Sequence, residues 1–288
     1  MKILVTGANG YIGRHVVAGL LKVGIEVIAC DINTSDVDSR AEHMNLDLFN
    51  LPEGNIYKQL GAPDVCLHMA WRNGFIHNAQ TQIGDLSAHY NFMTAMIDGG
   101  LKQLAVMGTM HEVGYWEGSI DEKTPCNPIS MYGIAKDTLR RAMFLYTEQR
   151  DCILQWLRCY YIFGDDKKNN SIFCKLLTSA EEGKKTFPFT TGKNKYDFIK
   201  IDDLARLIVT SVTQNQINGI INCCTGKPVS LAEQVELFIQ EHNLDIILEY
   251  GAFPDRPYDS PCIYGDVSKI NQILKINNRC ALNITDNV

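Results

Sequence analysis

Tyr132 and Lys136, in the segment Tyr-Gly-Ile-Ala-Lys, carry the clearest chemical signal in the sequence. On a helix, this i, i+4 spacing places the phenol and the ammonium on one face. We expect the cation there to lower the pKa of the phenol from about 10 toward neutrality, which would make Tyr132 a usable proton donor or acceptor. Thr109 ends a predicted strand further upstream and offers a hydroxyl that could share a substrate oxygen with Tyr132. Together these residues predict acid–base chemistry on a carbonyl or an alcohol.

A glycine cluster near the start of the chain predicts a dinucleotide site. Gly7, Gly10 and Gly13 follow the apolar run 3–5 and precede apolar residues at helical spacing. At such a strand-to-helix turn, backbone N–H groups can approach a pyrophosphate where no Cβ intervenes, and the helix N-terminus adds partial positive charge. An ordinary tight turn would also explain the glycines.

Asp31 ends the second predicted strand, eighteen residues after Gly13, where it can accept hydrogen bonds from both ribose hydroxyls. An acid at this position repels a 2′-phosphate, so NAD(H) is favoured and NADP(H) stays open as the alternative. Arg14 is either a group near such a phosphate or a solvated helix charge. Asp47 follows a short strand and either accepts from the adenine amino group or is a solvated loop acid.

The elements that must position these residues alternate between strands and helices. Apolar runs at 3–5, 26–31, 64–70 and 104–107 are separated by helical patterns, which predicts an α/β fold with a parallel sheet covered on both faces. The helices expected to complete it span 85–97 and 131–150, and Ser130 is the predicted N-cap of the second. A further strand is expected at 153–160. From about residue 164, Lys/Asn-rich turns and prolines predict a smaller, loop-rich lobe.

Composition places the chain among globular proteins, with 45% hydrophobic and 21% charged residues in 288. A net charge of -6 without a basic stripe argues against nucleic acid as a partner. No apolar run reaches the ~18 residues of a membrane span, and the N-terminal residues show no secretory signal pattern. The ten cysteines lack metal-ligand spacing, so we expect reduced thiols, no metal site and a cytoplasmic location.

The motifs together resemble the extended short-chain dehydrogenase/reductases, the NAD-dependent epimerase/dehydratases that act on sugar nucleotides. The resemblance covers nearly the whole chain. Its motifs are TGANGYIG at 6–13, Asp31, Asp47-Leu48, HMA at 68–70, GTMHEVG at 108–114, YGIAK at 132–136, LRCYYIFG at 157–164, YDFIKIDDLA at 196–205 and NCCTG at 222–226.

This resemblance implies a Rossmann-like, doubly wound parallel sheet with a smaller C-terminal substrate-binding lobe. The NAD(P)-binding Rossmann domain would span 1–163 and the mainly substrate-binding lobe 164–288, with segments near 196–222 returning to the Rossmann core. The implied catalytic residues are Thr109 as hydroxyl partner, Tyr132 as acid/base and Lys136 as the group that holds the nicotinamide ribose. The implied cofactor-binding residues are Gly7, Asn9, Gly10, Tyr11, Ile12, Gly13, Asp31, Asp47, Leu48, Met69, Ala70, Trp71 and Lys136. The implied substrate-binding residues are Arg72, Thr109, His111, Tyr132, Tyr161 and Arg256.

Departures from the family pattern narrow the chemistry. Met110 and His111 follow Thr109 where the family's 4,6-dehydratases carry Asp-Glu, which argues against a dehydratase. Glu112 stands one position too far along and is expected to be a solvated turn acid. His111 stands where epimerase-reductases such as GDP-fucose synthase place a Cys. We expect it to be a packed or hydrogen-bonding loop residue, with a direct acid–base role as the alternative.

Three further positions concern the substrate. Arg72 lies in the loop that passes over the nicotinamide and the sugar in the family. Tyr161 occupies a place where many members carry Asn near the diphosphate. Arg256, in Phe-Pro-Asp-Arg-Pro, matches the usual diphosphate-facing Arg, whose guanidinium suits bidentate pairing with phosphate oxygens.

The expected function is NAD(P)H-dependent reduction of the C4 ketone of a nucleotide-linked 4-keto-6-deoxyhexose, dTDP-linked, in cell-surface polysaccharide precursor synthesis. The motif run is most similar to reductases that make dTDP-6-deoxy-L-talose or dTDP-fucofuranose precursors. The alternative is an NAD-dependent nucleotide-sugar C4 epimerase, and a third reading is a redox-sensing binding protein on the same fold. A homodimer through the helices at 85–97 and 131–150 is the implied assembly.

Overall fold

The structure is a computed structural model that describes residues 1–164, 171–255 and 259–278. The strands in these ranges are β1 (Lys2–Thr6), β2 (Glu26–Asp31), β3 (Glu42–Asn45), β4 (Val65–His68), β5 (Gln103–Thr109), β6 (Gly118–Ile120), β7 (Ile153–Cys159), β8 (Tyr161–Phe163), β9 (Thr186–Pro188), β10 (Lys195–Lys200), β11 (Gly219–Cys223), β12 (Pro228–Ser230), β13 (Ile247–Glu249) and β14 (Cys262–Gly265). The helices are α1 (Tyr11–Lys22), α2 (Ile56–Gln59), α3 (Thr81–Gly84), α4 (Leu86–Gly99), α5 (Met131–Thr147), α6 (Ile172–Glu181), α7 (Ile201–Val212), α8 (Leu231–Glu241) and α9 (Ser268–Asn278), with a short 3₁₀ helix at Met110–Glu112.

A seven-stranded parallel sheet forms the centre of the fold, in the order β11-β7-β5-β4-β1-β2-β3. The chain order reverses between β1 and β4, so a crevice opens at the carboxyl ends of these two strands. In open α/β sheets, ligands bind at such a switch point. The doubly wound, Rossmann-like sheet expected from the sequence is confirmed.

Helices cover both faces of this sheet, which explains why its central strands are apolar on both sides. On one face, α1 and α7 pack against the strands through residues such as Val17 and Ile208. On the other face, α4 and α5 contribute Met93 and Met143. All seven residues of β5 are buried.

A second, five-stranded sheet runs β12-β10-β14-β6, and β8 joins it through β10. Its core is aromatic and includes Phe173, Phe198 and Phe238. The segment 196–222, which is expected to return to the Rossmann core, does so only in part. Helix α7 packs on the seven-stranded sheet and β11 pairs within it, whereas β10 lies in the second sheet. The division of the chain at residue 163 stays a prediction.

Helix α5 begins as expected, because the Ser130 side chain accepts a hydrogen bond from Gly133 N at 3.1 Å. The helix ends at Thr147, three residues before the predicted end. Across the described residues, no helix combines the length and the apolar character needed to cross a membrane.

Candidate active site

The glycine turn between β1 and α1 packs too closely against its own backbone and the residues after β4 to accept side chains at Gly7 and Gly13. Gly7 has a φ of +70°, and a Cβ there would lie 2.6 Å from Ala70 N. A Cβ on Gly13 would lie 2.2 Å from the Gly7 carbonyl oxygen. Gly10 caps α1 without a side-chain acceptor, and the first turn of the helix carries no acid. These features fit the diphosphate of a dinucleotide, because anions bind at helix N-termini.

Asp31 lies half-buried at the carboxyl end of β2, beside this turn. Its carboxylate accepts hydrogen bonds from Asn9 N at 2.9 Å and Ile32 N at 2.8 Å. Arg14, which the sequence left open as a phosphate ligand, lies 3.7 Å from the Asp36 carboxylate. The acid at the strand end is therefore held in place, and Arg14 is engaged by a second acid.

Asp47 makes local contacts in the loop after β3. Its side chain accepts hydrogen bonds from Phe49 N at 2.9 Å and Asn50 Nδ2 at 2.7 Å. This is the Asx-turn arrangement in which an aspartate stabilises its own loop. The neighbouring Leu48 is buried in the core on the α4 side of the sheet.

The structure brings Thr109, Tyr132 and Lys136 together at the carboxyl ends of the central strands. Thr109 is the last residue of β5, and Tyr132 and Lys136 lie in the first two turns of α5. The Thr109 and Tyr132 hydroxyls are hydrogen-bonded. Lys136 Nζ donates to the Met107 carbonyl at 2.7 Å. A hydroxyl pair and an ammonium thus converge on one site.

The pKa shifts at this site run opposite to the expectation. Burial raises the pKa of Tyr132, although its hydrogen bond with Thr109 acts in the other direction. Burial lowers the pKa of Lys136 to about 7, opposed by the charge of Glu112. The expected lowering of the phenol's pKa by the lysine is therefore wrong for this structure. The protonated phenol that results is the form needed to donate a proton.

The environment of Glu112 differs from the prediction. The sequence predicts a solvated turn acid, but the Glu112 side chain is fully buried. Its carboxylate accepts hydrogen bonds from Thr109 N at 2.8 Å, Trp156 Nε1 at 2.8 Å and Arg158 Nη2 at 3.3 Å. The missed signal is the spacing Thr-x-x-Glu, which is typical of a capping box, and Thr109 and Glu112 form one here.

His77 is a site residue that the sequence analysis did not identify. Its ring stacks on Tyr132 at a centroid distance of 5.3 Å and an angle of 17°. Its carbonyl accepts a hydrogen bond from Tyr132 N at 2.8 Å. No motif signals this contact, because it depends on how the loop before α3 folds over α5.

His111 lies where the rings of the site meet. Its ring centroid is 4.6 Å from that of His77, 6.1 Å from Tyr132 and 6.4 Å from Tyr161. Burial lowers the pKa of His111 to about 4, and the neighbouring His77 contributes. The imidazole is therefore neutral at physiological pH. A neutral ring can serve either as donor or as acceptor to a sugar hydroxyl.

The other predicted substrate contacts are more dispersed. Arg72 donates to both carboxylate oxygens of Asp85, at 2.8 and 2.5 Å. Tyr161 packs against Tyr196 of the second sheet at a centroid distance of 4.2 Å. Arg256 lies outside the described residues. In the described ranges, no group of three or more His, Cys, Asp or Glu side chains is arranged to hold a metal ion.

The chain matches known proteins along most of its length. A sequence model of the NAD dependent epimerase/dehydratase family matches residues 3–224. The chain is 45% identical over 269 residues to dTDP-6-deoxy-L-talose 4-dehydrogenase (NAD(+)) from Aggregatibacter actinomycetemcomitans, across 92% of this chain and 99% of that protein. It is 25% identical over 289 residues to a putative UDP-glucose 4-epimerase from Methanocaldococcus jannaschii, across 94% of this chain and 92% of the relative.

Solved structures agree on the fold. MoeE5 in complex with UDP-glucuronic acid and NAD superposes with a TM-score of 0.82 at 22% identity, across 96% of this chain and 93% of the other. UDP-glucuronic acid 4-epimerase from Bacillus cereus, in complex with UDP-glucuronic acid and NAD, gives 0.79 at 23% identity, across 96% and 93%. The expected family, enzyme class and NAD dependence are confirmed, and the chain belongs to the NAD-dependent epimerase/dehydratase family of nucleotide-sugar enzymes.

Proposed function

We propose that this enzyme uses NADH to reduce the C4 ketone of a dTDP-linked 4-keto-6-deoxyhexose to dTDP-6-deoxy-L-talose, a precursor for cell-surface polysaccharide. The observation that carries the proposal is the 45% identity, over 92% of this chain, to a dTDP-6-deoxy-L-talose 4-dehydrogenase (NAD(+)). A dehydrogenase and a ketone reductase catalyse one reversible reaction, so the same site serves both directions.

The cofactor is assigned to the crevice beside β1. NADH bound there would supply the hydride for reduction at C4. We assign the diphosphate to the glycine turn, the adenosine ribose to Asp31 and the nicotinamide ribose to Lys136. The remaining residues proposed to line the cofactor are Asn9, Tyr11, Ile12, Asp47, Leu48, Met69, Ala70 and Trp71.

Tyr132 is assigned as the proton donor. As C4 gains a hydride, the ketone oxygen gains a proton from the phenol, and a C4 hydroxyl results. The Thr109 hydroxyl, hydrogen-bonded to Tyr132, donates to the same oxygen and polarises the ketone. The raised pKa of Tyr132 keeps the donor protonated at neutral pH. The phenol is therefore in the form that can donate a proton.

The surroundings of Thr109 support a reductase over a dehydratase. Elimination of water needs an acid and a base beside the sugar, and Met110 and His111 occupy the positions that follow the threonine. The nearest carboxylate along the chain, Glu112, is turned into the core and paired with Arg158. We assign His111, Tyr161, Arg72 and Arg256 to the sugar nucleotide.

A C4 epimerase is the second candidate, favoured by the 25% identity to a putative UDP-glucose 4-epimerase. An epimerase oxidises and re-reduces the same carbon, so it would use the same three catalytic residues. It would also retain NAD⁺ through the cycle. Tightly bound NAD⁺ released from the purified, denatured protein would therefore identify it.

The test follows NADH and NADPH absorbance with dTDP-4-keto-6-deoxyglucose and with its C3/C5-epimerised L-form, and resolves the products by chromatography. We expect NADH oxidation with the L-form and dTDP-6-deoxy-L-talose as the product. Tyr132→Phe should lower kcat by about 10²- to 10⁴-fold and leave the NADH Kd unchanged. No oxidation of either cofactor, together with released NAD⁺, would replace the proposal with the epimerase.

A homodimer through α4 and α5 and a cytoplasmic location complete the proposal. On α5, Met131, Ile134 and Leu145 are 42%, 43% and 68% exposed and share one face. Leu145→Glu should convert the dimer to a monomer in light scattering.

The cysteines in the described residues are free thiols, which supports a reducing compartment.

A further inference from the structure

Lys136 is a buried cation with an unusual set of partners. Within the described part of the chain, its Nζ forms no ion pair with a carboxylate. It donates to the Met107 carbonyl at 2.7 Å and lies 3.8 Å from the centroid of the Trp71 ring. A carbonyl dipole and the face of an indole therefore take the place of a counter-ion. Trp is the aromatic side chain that attracts a cation best.

Trp71 is held in this orientation from its other side. The indole stacks on His89 at a centroid distance of 4.5 Å and an angle of 10°. Its Nε1 donates to Gln82 Oε1 at 2.7 Å, and Gln82 is fully buried. His89 in turn is hydrogen-bonded to His68 at 2.9 Å. The indole thus meets Lys136 with a face that its surroundings have already oriented.

Few of the titratable groups around Lys136 carry a charge that stabilises its ammonium form, so the Trp71 indole has an important part in that stabilisation. Glu112 on the 3₁₀ helix favours the ammonium form, whereas burial raises the pKa of the Cys159 thiol on β7 and leaves it uncharged. Glu112, however, is shared with Arg158. Burial lowers the pKa of His68 on β4, and it lowers the pKa of His89 on α4 to about 3. Both imidazole rings are therefore neutral at physiological pH.

The remaining ionisable neighbour on α5 is Tyr132, whose pKa is raised by burial, so it too is neutral at physiological pH. The cost of removing the Lys136 ammonium from water is therefore offset by three groups: the Glu112 carboxylate, the Met107 carbonyl and the Trp71 indole.

We propose that Trp71 is a positioning residue that keeps Lys136 cationic and in place through a cation–π contact, so that the lysine can hold the nicotinamide ribose. This inference rests on the role proposed above for Lys136. It assigns to Trp71 a function that does not require the indole to touch the cofactor.

The two roles for Trp71 have different signatures. A direct contact between the indole and NADH would change the NADH Kd by the same factor at every pH. Loss of the cation–π contact would instead lower the pKa of Lys136, by about one unit for a desolvated pair. NADH affinity, which needs the ammonium, would then weaken at a lower pH than in the wild type.

The experiment measures the NADH Kd by cofactor fluorescence, from about pH 5.5 to about pH 9, for the wild type, W71L, W71F, W116L and K136M. W116L is the matched control, because Trp116 lies before β6 and its Nε1 donates to the Ser119 carbonyl. W71F keeps an aromatic face, so a smaller shift is expected, and it keeps the test open if W71L does not fold.

We expect the midpoint of the pH dependence to move down by about one unit in W71L, by less in W71F and not at all in W116L, and to vanish in K136M. An unchanged midpoint in W71L, an equal shift in W116L, or a midpoint that persists in K136M would overturn the inference. The assay contains no sugar nucleotide. A shifted midpoint without turnover of the ketosugar would therefore reject the proposed substrate and leave the role of Trp71 standing.

Discussion

The Glu112 carboxylate accepts a hydrogen bond from the backbone N–H of Thr109 at 2.8 Å, while the Thr109 hydroxyl accepts one from His111 N. These two bonds fix the residue that presents a hydroxyl to Tyr132. Because Glu112 also accepts from Arg158, the position of the Thr109 hydroxyl depends on a fully buried ion pair.

Glu112→Ala should destabilise the protein by about 3–5 kcal/mol, because it leaves the Arg158 guanidinium buried without its counter-charge. Glu112→Gln, which keeps an acceptor for Thr109 N, should cost less. Urea unfolding measures both. Glu53→Ala, at an exposed loop position, is the control and should stay within about 0.5 kcal/mol of the wild type. An unfolding midpoint for Glu112→Ala equal to that of the control would contradict a structural role for the pair.

Gly13→Ala should abolish NADH binding and lower stability, because the new Cβ would lie 2.2 Å from the Gly7 carbonyl oxygen. Gly84→Ala is the matched control: a Cβ there meets no atom within 4 Å, and the residue ends α3. We expect the control to bind NADH normally and to gain up to about 1 kcal/mol of stability. Isothermal titration with NADH decides the matter, and normal affinity in Gly13→Ala would remove the glycine turn from the cofactor site.

Asp31→Asn should raise the NADH Kd by about tenfold or more, since a hydrogen bond to a charged group contributes about 1.5–3 kcal/mol. It should also narrow the preference for NADH over NADPH, because the negative charge that repels a 2′-phosphate is gone. Asp64→Asn makes the same change at a carboxylate that accepts from Lys2 N, before β4, and should alter neither value. If Asp31→Asn and Asp64→Asn showed the same ratio of NADPH Kd to NADH Kd, the proposed contact between Asp31 and the ribose would be contradicted.

Lys136 predicts a particular pH dependence of stability. Its pKa is lowered to about 7 in the folded protein from its ordinary value of 10.5, so between these values the unfolded chain binds more protons than the native state. The free energy of unfolding therefore rises with pH between these two pKa values, by up to about 1.4 kcal/mol per pH unit. Below the folded-state pKa the lysine is charged in both states, and the cost of burying the ammonium is fully present. Urea unfolding of the wild type and of Lys136→Met at several pH values should show the difference growing in favour of the wild type above pH 7. A difference that does not depend on pH would mean that the lysine pKa is not shifted.

The central sheet was predictable because its strands are buried on both faces and read as unbroken apolar runs. β2 spans Glu26–Asp31 as predicted, and Ser130 caps α5 through a local hydrogen bond that its residue type favours. The short strands of the second sheet, such as β6 and β12, were not predicted. With three residues each, they have no periodicity to detect and depend on pairing with distant parts of the chain.

Within the site, the spacing of Tyr132 and Lys136 correctly indicated that the two lie on one helix, because such spacing is local. The direction of their pKa shifts was wrong, because it is set by burial, which arises from the packing of α5 against the sheet. His77 was missed for the same reason: its stacking on Tyr132 joins the loop before α3 to helix α5, which are far apart in the sequence.

The position of β11 has a consequence for how the chain is made. β7 is an interior strand of the finished sheet only because β11, much later in the chain, pairs with its residues Gln155 to Cys159. During synthesis from the N-terminus, β7 must leave the ribosome with one edge of unpaired N–H and C=O groups, and that edge stays open until residue 223 has emerged. Open strand edges invite pairing with other chains. The nascent enzyme thus still carries an open strand edge late in translation, when most of its Rossmann sheet is already assembled.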